Sequence, residues 1–320
     1  MLRTPRLPEL RLALLDMGRR TRIAKYRPDL DKSQWDTPEQ LKNDQLLKLK
    51  DLVSFAADRV PFYRALREDR GLGADRLKSS ADLKAWPVVD KPLMRKDPAA
   101  FRPPGTSPEA AFTRRTGGST GDPFEYRVGA SAFSLQWAAL YRAWEWTGYR
   151  FGDSMVTLGG GSVAPAGGLS FSQRIYNGLR HNLPLPASSL DQSVLAEHER
   201  RMRDRRPRLV YGYPSVLCEM ALHLEESDGP IPGVVAVVTT SEMLFPGQRT
   251  VLEKAFAAPV FDLYGCNESN LVTAECEHHS GLHVAMEASL VEILDEDDQP
   301  VPPGETGRIV ATGLVNRGMI

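Results

Sequence analysis

Apolar and polar positions alternate along the chain with two different periods. Leu41, Gln45, Leu46, Leu49, Leu52, Val53 and Ala56 recur at helical spacing, so one face of this stretch is buried in a helix. Thr37-Pro38-Glu39-Gln40 supplies its capped start, and Pro61 stops it. Ser79-Ser80-Ala81-Asp82-Leu83 caps a second, short helix, and Pro103-Pro104-Gly105 marks a linker. Ser131 to Thr147 carries Trp137, Tyr141, Trp144 and Trp146 at a spacing that reads first as helix core and second as a pocket wall. Leu190 to Arg206 predicts a charged surface helix with arginines where they suit the helix dipole.

Between these lie short apolar runs of another kind. Ser154–Leu158, Leu209–Tyr211 and Val234–Val238 predict buried strands, and a further strand begins at Val260. Pro214 opens the helix after the second run, and Pro246 to Phe256 is the helix after the third. Strand, turn and helix repeated in a row predict an α/β fold of doubly wound, mostly parallel sheet flanked by helices. Such sheets bind ligands at the strand carboxyl ends, where Gly212, Ser241 and Tyr264 fall. The tail changes period: Ser289–Leu294 and Gly307–Ala311 alternate as an antiparallel hairpin joined by the acidic, proline-rich turn Asp295–Glu305.

Composition narrows the function classes. The 320 residues suffice for one large α/β domain or two smaller ones. Forty basic against forty-one acidic residues leave a net charge of −1, so no nucleic-acid or membrane partner is expected and a small molecule is. Three cysteines point away from a disulfide framework and toward a reducing, cytoplasmic compartment. The opening Met1 to Tyr26 spreads Arg3, Arg6, Arg11, Arg19, Arg20, Arg22 and Lys25 among leucines. It lacks the large aromatic anchors of lipid-binding helices, so a solvated helical face or loose terminus is the expectation.

Two stretches carry candidate chemistry. Arg114-Arg115-Thr116-Gly117-Gly118-Ser119-Thr120-Gly121-Asp122-Pro123 interleaves glycines with hydroxyls, a backbone whose amides can turn onto a phosphate. It is not a Walker A loop, because no Gly-Lys-Ser/Thr follows. Val260-Phe261-Asp262-Leu263-Tyr264-Gly265-Cys266-Asn267-Glu268 is a strand that ends in a tight turn and a carboxylate. Tyr264 offers a flat face to an aromatic base, and Glu268 offers oxygens to a hard cation such as magnesium.

These stretches resemble the adenylate-forming superfamily, specifically its branch containing phenylacetate-coenzyme A ligase and capsule-cluster relatives. Leu49–Val53 with Val60–Tyr63, Trp86–Lys91, Tyr211–Ser215, Thr240–Leu244 and Tyr264–Glu268 follow in that branch's order. The resemblance implies ATP-dependent activation of an aryl or acyl carboxylic acid through an acyl-adenylate, for transfer to coenzyme A. It places ATP phosphates on Thr116, Gly117, Gly118, Ser119, Thr120 and Gly121, and magnesium on Glu268. Adenine falls to Ser241, Glu242, Tyr264 and Gly265. Asp122 and Phe124 stand where the branch often carries a lysine, leaving Arg114 or Arg115 to substitute. Domains are expected as an N-terminal helical segment over 1–105 and an AMP-binding core over 106–320, with a homodimer allowed for. The family's ribose-binding aspartate and small domain with a catalytic lysine lie beyond Leu314–Ile320 in its pattern. Weakened nucleotide binding and little turnover by these 320 residues follow as an expectation.

Cys266, Cys276, His279 and His283, with His278 as an alternative, are a candidate set for structural zinc. Two other function classes stay open. One is a catalytically inactive nucleotide-binding or scaffold module. The other is a dinucleotide-dependent oxidoreductase, on Gly159-x-Gly161-x-x-Ala164, although His181 and Asn182 stand where its acidic residue belongs.

Overall fold

The computed structural model describes residues 7–105, 111–116, 123–160, 168–187 and 189–319. Helices α1 (Leu7–Arg19), α2 (Ile23–Ser33), α3 (Pro38–Arg59) and α4 (Pro61–Arg70) come first. Two 3-10 turns, Ala74–Arg76 and Ser80–Ala85, lead to α5 (Lys91–Lys96). A hairpin of β1 (Ala111–Arg115) and β2 (Glu125–Gly129) feeds α6 (Ala130–Trp146). Then β3 (Met155–Gly159), α7 (Phe171–Leu179), β4 (Asn182–Pro186), α8 (Gln192–Arg205), β5 (Leu209–Gly212), α9 (Pro214–Glu226), β6 (Ala236–Thr240), α10 (Pro246–Phe256) and β7 (Val260–Cys266) alternate. The chain closes with β8 (Leu271–Ala274), β9 (His283–Val284), β10 (Ser289–Leu294) and β11 (Arg308–Gly313).

The main sheet has seven strands in the order β4-β3-β5-β6-β7-β8-β9. Strands β4 through β7 run parallel, with Met155 opposite Leu209, Leu209 opposite Ala236 and Val237 opposite Val260. This is the doubly wound, mostly parallel sheet that the repeated strand and helix pattern predicts. The alternating tail is the expected antiparallel hairpin, β10 against β11 with Ser289 opposite Gly313. Helix α3 has the expected capped start, formed as a capping box: the Thr37 amide donates to Gln40 Oε1 at 2.8 Å, and the Gln40 amide to Thr37 Oγ1 at 3.3 Å.

The chain forms two compact units, each discontinuous in sequence. The sheet unit holds the described residues of Met1–Ala24, Leu140–Gly265 and Thr273–His283. Its core joins Val156, Leu158, Val210, Val237 and Val260 of the strands to Leu217, Met220, Leu252 and Phe256 of the helices. Tyr141 and Trp144 of α6 are each 1% exposed and are helix core as predicted, whereas Trp137 and Trp146 are half-buried. Gly212 has a packing reason. A methyl at its Cα would stand well inside contact distance of the Leu158 carbonyl, so β5 lies against β3 only without a side chain there.

The hairpin unit holds the described residues of Lys25–Ala139, Cys266–Val272 and Val284–Ile320. One core gathers Leu49 and Val53 of α3 with Leu77, Leu290 and Leu314, and so ties the tail hairpin to the long helix. Another gathers Phe101, Phe124, Tyr126, Val128, Phe133 and Met319. Asn316, 4% exposed, fastens the chain beyond β11 to β2. Its Oδ1 accepts from the Gly129 and Gly318 amides at 3.0 and 3.1 Å, and its Nδ2 donates to the Arg127 and Met319 carbonyls at 2.9 and 3.0 Å.

Candidate functional site

Strand β7 ends in a turn that presents Glu268. Within the hairpin unit that turn is held from several sides. The Gln136 amide donates to Asn267 Oδ1 at 3.0 Å, Ser289 Oγ donates to the Ser269 carbonyl at 2.7 Å, and Gly313 lets β11 pass close to the same carbonyl. A carboxylate on a turn so clamped has little freedom to drift, as a ligand-binding group requires.

The surroundings of Glu268 set its charge. Lys91 Nζ lies 2.9 Å from Glu268 Oε1, and the Cys266 thiol donates to Oε2 at 3.2 Å. Burial pushes the carboxyl up, but the Lys91 ammonium, a backbone amide and the Cys266 thiol together outweigh it and hold the group below the usual glutamate range. Glu268 is therefore ionised at neutral pH while its side chain is only 22% exposed. The same charge acts on its neighbours. Tyr126, 5% exposed, has its phenol raised first by burial and then by the Glu268 carboxylate; burial and Glu268 likewise raise the Cys266 thiol.

Lys91 owes its place to the start of α5. Asp90 caps that helix by accepting the Leu93 amide at 2.8 Å, and Pro92 occupies its first turn. Beside the Glu268 turn the hairpin unit encloses a cavity of about 270 Å³, lined by Trp86, Val89, Met94, Phe124, Tyr126 and Glu268 among others. Its wall is largely apolar and aromatic, with the charged side chains of Lys84, Arg127, Glu268, Glu292 and Asp298 set into it, which suits a small molecule with a hydrocarbon body and a polar end.

The predicted phosphate loop is described only at its base. Thr116 and Phe124 close the β1–β2 hairpin, the Thr116 amide donating to the Phe124 carbonyl at 3.0 Å and the Phe124 amide to Thr116 Oγ1 at 2.9 Å. Gly117, Gly118, Ser119, Thr120, Gly121 and Asp122 lie outside the described residues, as do Gly161 and Ala164 of the dinucleotide pattern. Of the two arginines that could replace a lysine, Arg115 pairs with Glu125 at 3.2 Å, and the Arg114 guanidinium lies 4.8 Å from the centre of the Phe133 ring.

The predicted adenine residues belong to the sheet unit, at the carboxyl ends of its parallel strands. Ser241 follows β6 in the left-handed region at φ 69°, which turns the chain sharply after the strand. Glu242 caps α9, its Oε2 accepting the Ser215 amide and its Oε1 the Ser215 hydroxyl, both at 3.0 Å. Tyr264 on β7 is 43% exposed, and its carbonyl accepts Thr273 Oγ1 at 2.9 Å, leaving the phenol ring open to a ligand; Gly265 follows it on the strand.

The zinc donors are not gathered as four. His283 Nε2 and Cys276 Sγ stand 3.2 Å apart, but His279 Nδ1 lies 3.0 Å from Glu275, whose carboxylate also takes two bonds from Arg249 at 2.8 and 2.9 Å. The Cys266 thiol is spent on Glu268, and His278 is exposed. Among the described residues no three His, Cys, Asp or Glu side chains are placed to hold a metal ion, so the set does not fit a tetrahedral zinc as it stands. A single ionised carboxylate does fit magnesium, which takes one or two protein carboxylates and completes its shell with water and substrate phosphates. Sequence reasoning missed the pairing of Lys91 with Glu268, although Lys91 ends one of the five resembling segments.

No protein-family model matches the chain. It is similar to curated phenylacetate-coenzyme A ligases from Thermus thermophilus and Aromatoleum evansii, 24% identical over 303 and 299 residues. These matches cover 92% and 91% of this chain but 65% and 66% of the relatives, so the chain spans slightly less than two thirds of their length. Among solved structures it is similar to 2-hydroxyisobutyryl-CoA ligase, described in an open conformation with 2-HIB-AMP and CoA, at TM-score 0.69 and 24% identity over 87% of this chain and 67% of that one. The same enzyme in its thioesterification state matches at TM-score 0.69 and 23% identity, over 89% of this chain and 62% of that one. The fold is thus shared with this CoA ligase, and the similarity to the two curated ligases extends along nearly the whole chain.

Proposed function

We propose that the chain is the acid- and nucleotide-binding part of an acid–thiol ligase of the phenylacetate-coenzyme A ligase kind, acting on an aryl or acyl carboxylic acid with ATP and coenzyme A. The observation that carries this reading is Glu268: an ionised, mostly buried carboxylate on a clamped turn, held by Lys91 beside an apolar, aromatic cavity. Its similarity to two phenylacetate-coenzyme A ligases supports the substrate class.

In the proposed reaction a carboxylate oxygen of the acid attacks the α-phosphorus of ATP, the bond to pyrophosphate breaks, and an acyl-adenylate forms. The thiol of coenzyme A then attacks the acyl carbon, its proton passes to solvent, and AMP leaves. Magnesium, when bound, screens charge on the phosphates. The chain's own residues position: Glu268 offers the metal its oxygens, Lys91 keeps that carboxylate ionised, and the cavity takes the acid's hydrocarbon part. Thr116 to Gly121 are assigned to the phosphates, and Tyr264, Gly265 and the turn at Ser241 and Glu242 to the adenine. Zinc has no place in this reading, because only Cys276 and His283 of its donors stand together.

Calorimetric titration with ATP, with and without magnesium and alongside NAD, tests the proposal. The expected outcome is ATP binding tightened by magnesium, with that gain reduced roughly tenfold or more in Glu268→Gln, about 1.4 kcal/mol per factor of ten. Preference for NAD, or a magnesium effect untouched by the substitution, overturns it.

A further inference from the structure

Helix α1 of the sheet unit has one face turned inward and another turned outward. Leu12 and Leu15 are buried, and Pro8 packs against Gly152. On the outer face Leu7, Leu10, Leu14 and Met17, at spacings of three, four and three, are 61%, 46%, 40% and 74% exposed. Such spacing aligns the four side chains in one stripe. An exposed leucine needs no explanation alone, but four aligned apolar side chains on a single helix mark a surface that meets something.

The neighbour of α1 adds what the helix lacks. α7 packs against α1, with the Arg19 guanidinium 3.7 Å from the centre of the Tyr176 ring, and α7 exposes Phe171 (78%) and Ile175 (49%) one turn apart. The sequence alone shows no large aromatic among the basic residues of the first helix; folding supplies Phe171 from a segment far along the chain.

Charge identifies the partner. Residues 7–24 and α7 carry five arginines, Arg11, Arg19, Arg20, Arg22 and Arg174, against Glu9 and Asp16; Arg11 donates to the Gly152 carbonyl at 3.3 Å and Arg174 to the Leu169 carbonyl at 3.2 Å, and each keeps its charge. Asp16 is also occupied, accepting Thr21 Oγ1 at 2.6 Å and the Ile23 and Ala24 amides at 2.8 and 2.9 Å. Excess positive charge around an apolar stripe repels a second copy of itself and attracts an anionic, apolar-cored surface. We infer that α1 and α7 form a peripheral docking face for an anionic lipid bilayer, with Met17, Leu14 and Phe171 entering the acyl boundary, the exposed Arg20 at the level of the phosphate headgroups and the other arginines adding to the field that draws them. The contact is interfacial, since no helix among the described residues is long and apolar enough to cross a membrane. It departs from the expectation, drawn from net charge, that no membrane is involved.

Co-sedimentation with vesicles of phosphatidylcholine alone and with vesicles containing one third phosphatidylglycerol tests this. Binding is expected to the anionic vesicles, weakened by added salt, and reduced roughly tenfold in Phe171→Ser and in Met17→Ser, with Arg20→Glu acting in the same direction. All three side chains are exposed, so thermal melting should be unchanged, and Phe171→Ser keeps the test valid if a change in α1 disturbs folding. Equal binding to both vesicle types, no binding, or binding indifferent to these substitutions overturns the inference. So does a dimer, seen by sedimentation equilibrium, that Met17→Ser dissolves while no lipid is bound, since a second copy then covers the face.

Discussion

The pair Lys91 and Glu268 shows how the neighbours of a mostly buried group set its protonation. Burial alone raises a carboxyl's proton affinity, and here an ammonium 2.9 Å away, with a backbone amide and the Cys266 thiol beside it, reverses the sign. Because the folded value is depressed, the ionised form persists at neutral pH and is lost only as pH falls through that lowered value. In Lys91→Met the ammonium is gone and only the backbone amide and the Cys266 thiol oppose burial, so Glu268 takes up a proton at a higher pH than in the unaltered chain. Magnesium-dependent ATP binding, followed calorimetrically across pH, is expected to lose its acid limb at a visibly higher pH in Lys91→Met. A profile that only scales down without moving would mean that Lys91 contributes through packing. This chemistry was half legible in the sequence. Glu268 declares itself by following a strand and a tight turn, whereas Lys91 lies far upstream, and nothing in its local pattern says which carboxylate it will meet.

Elements whose signals are local were legible. Helix α10 begins and ends at Pro246 and Phe256 as predicted, since proline at the first position and an apolar stripe fix both. Helix α7 was not, although Ser170 and Gln173 form a capping box, because the glycines and prolines before it mask the start. Strand β4 contains Pro184 and Pro186, which argue against a strand; they are tolerated because β4 is the edge of the sheet, where one side needs no donors. Strands β1 and β2 are five residues each around the glycine loop, too short for a period to show. Gly212 belongs to this scale too, since its role is the spacing of β5 against β3. Gly212→Ala forces a methyl against the Leu158 carbonyl and is expected to cost about 1–3 kcal/mol, as overpacking does. Urea unfolding checks it, and a loss within error of zero would mean that the strands part without penalty.

At the scale of the molecule, doubly wound topology was predictable and the partition into units was not. The chain passes between units after Ala24, Ala139, Gly265, Val272 and His283. Such crossings depend on contacts between distant segments, which a reading of consecutive residues does not see. A fragment limited to residues 140–265 lacks α1 and the Thr273–His283 segment of its own unit. Scanning calorimetry of that fragment is expected to show no sharp transition, while the full chain unfolds cooperatively. A sharp transition in the fragment would show that those two segments are dispensable.

The interleaving also constrains how the protein is made. Helix α1 emerges from the ribosome early, but the last segment of its unit, Thr273–His283, is translated only after most of the hairpin unit. At about 5–20 residues per second that delay is on the order of tens of seconds, during which the unit to which α1 belongs stands incomplete. Neither unit can be finished and set aside before the other is begun, so a nascent chain of this kind has a prolonged need for chaperone cover, and slowing translation lengthens its exposure.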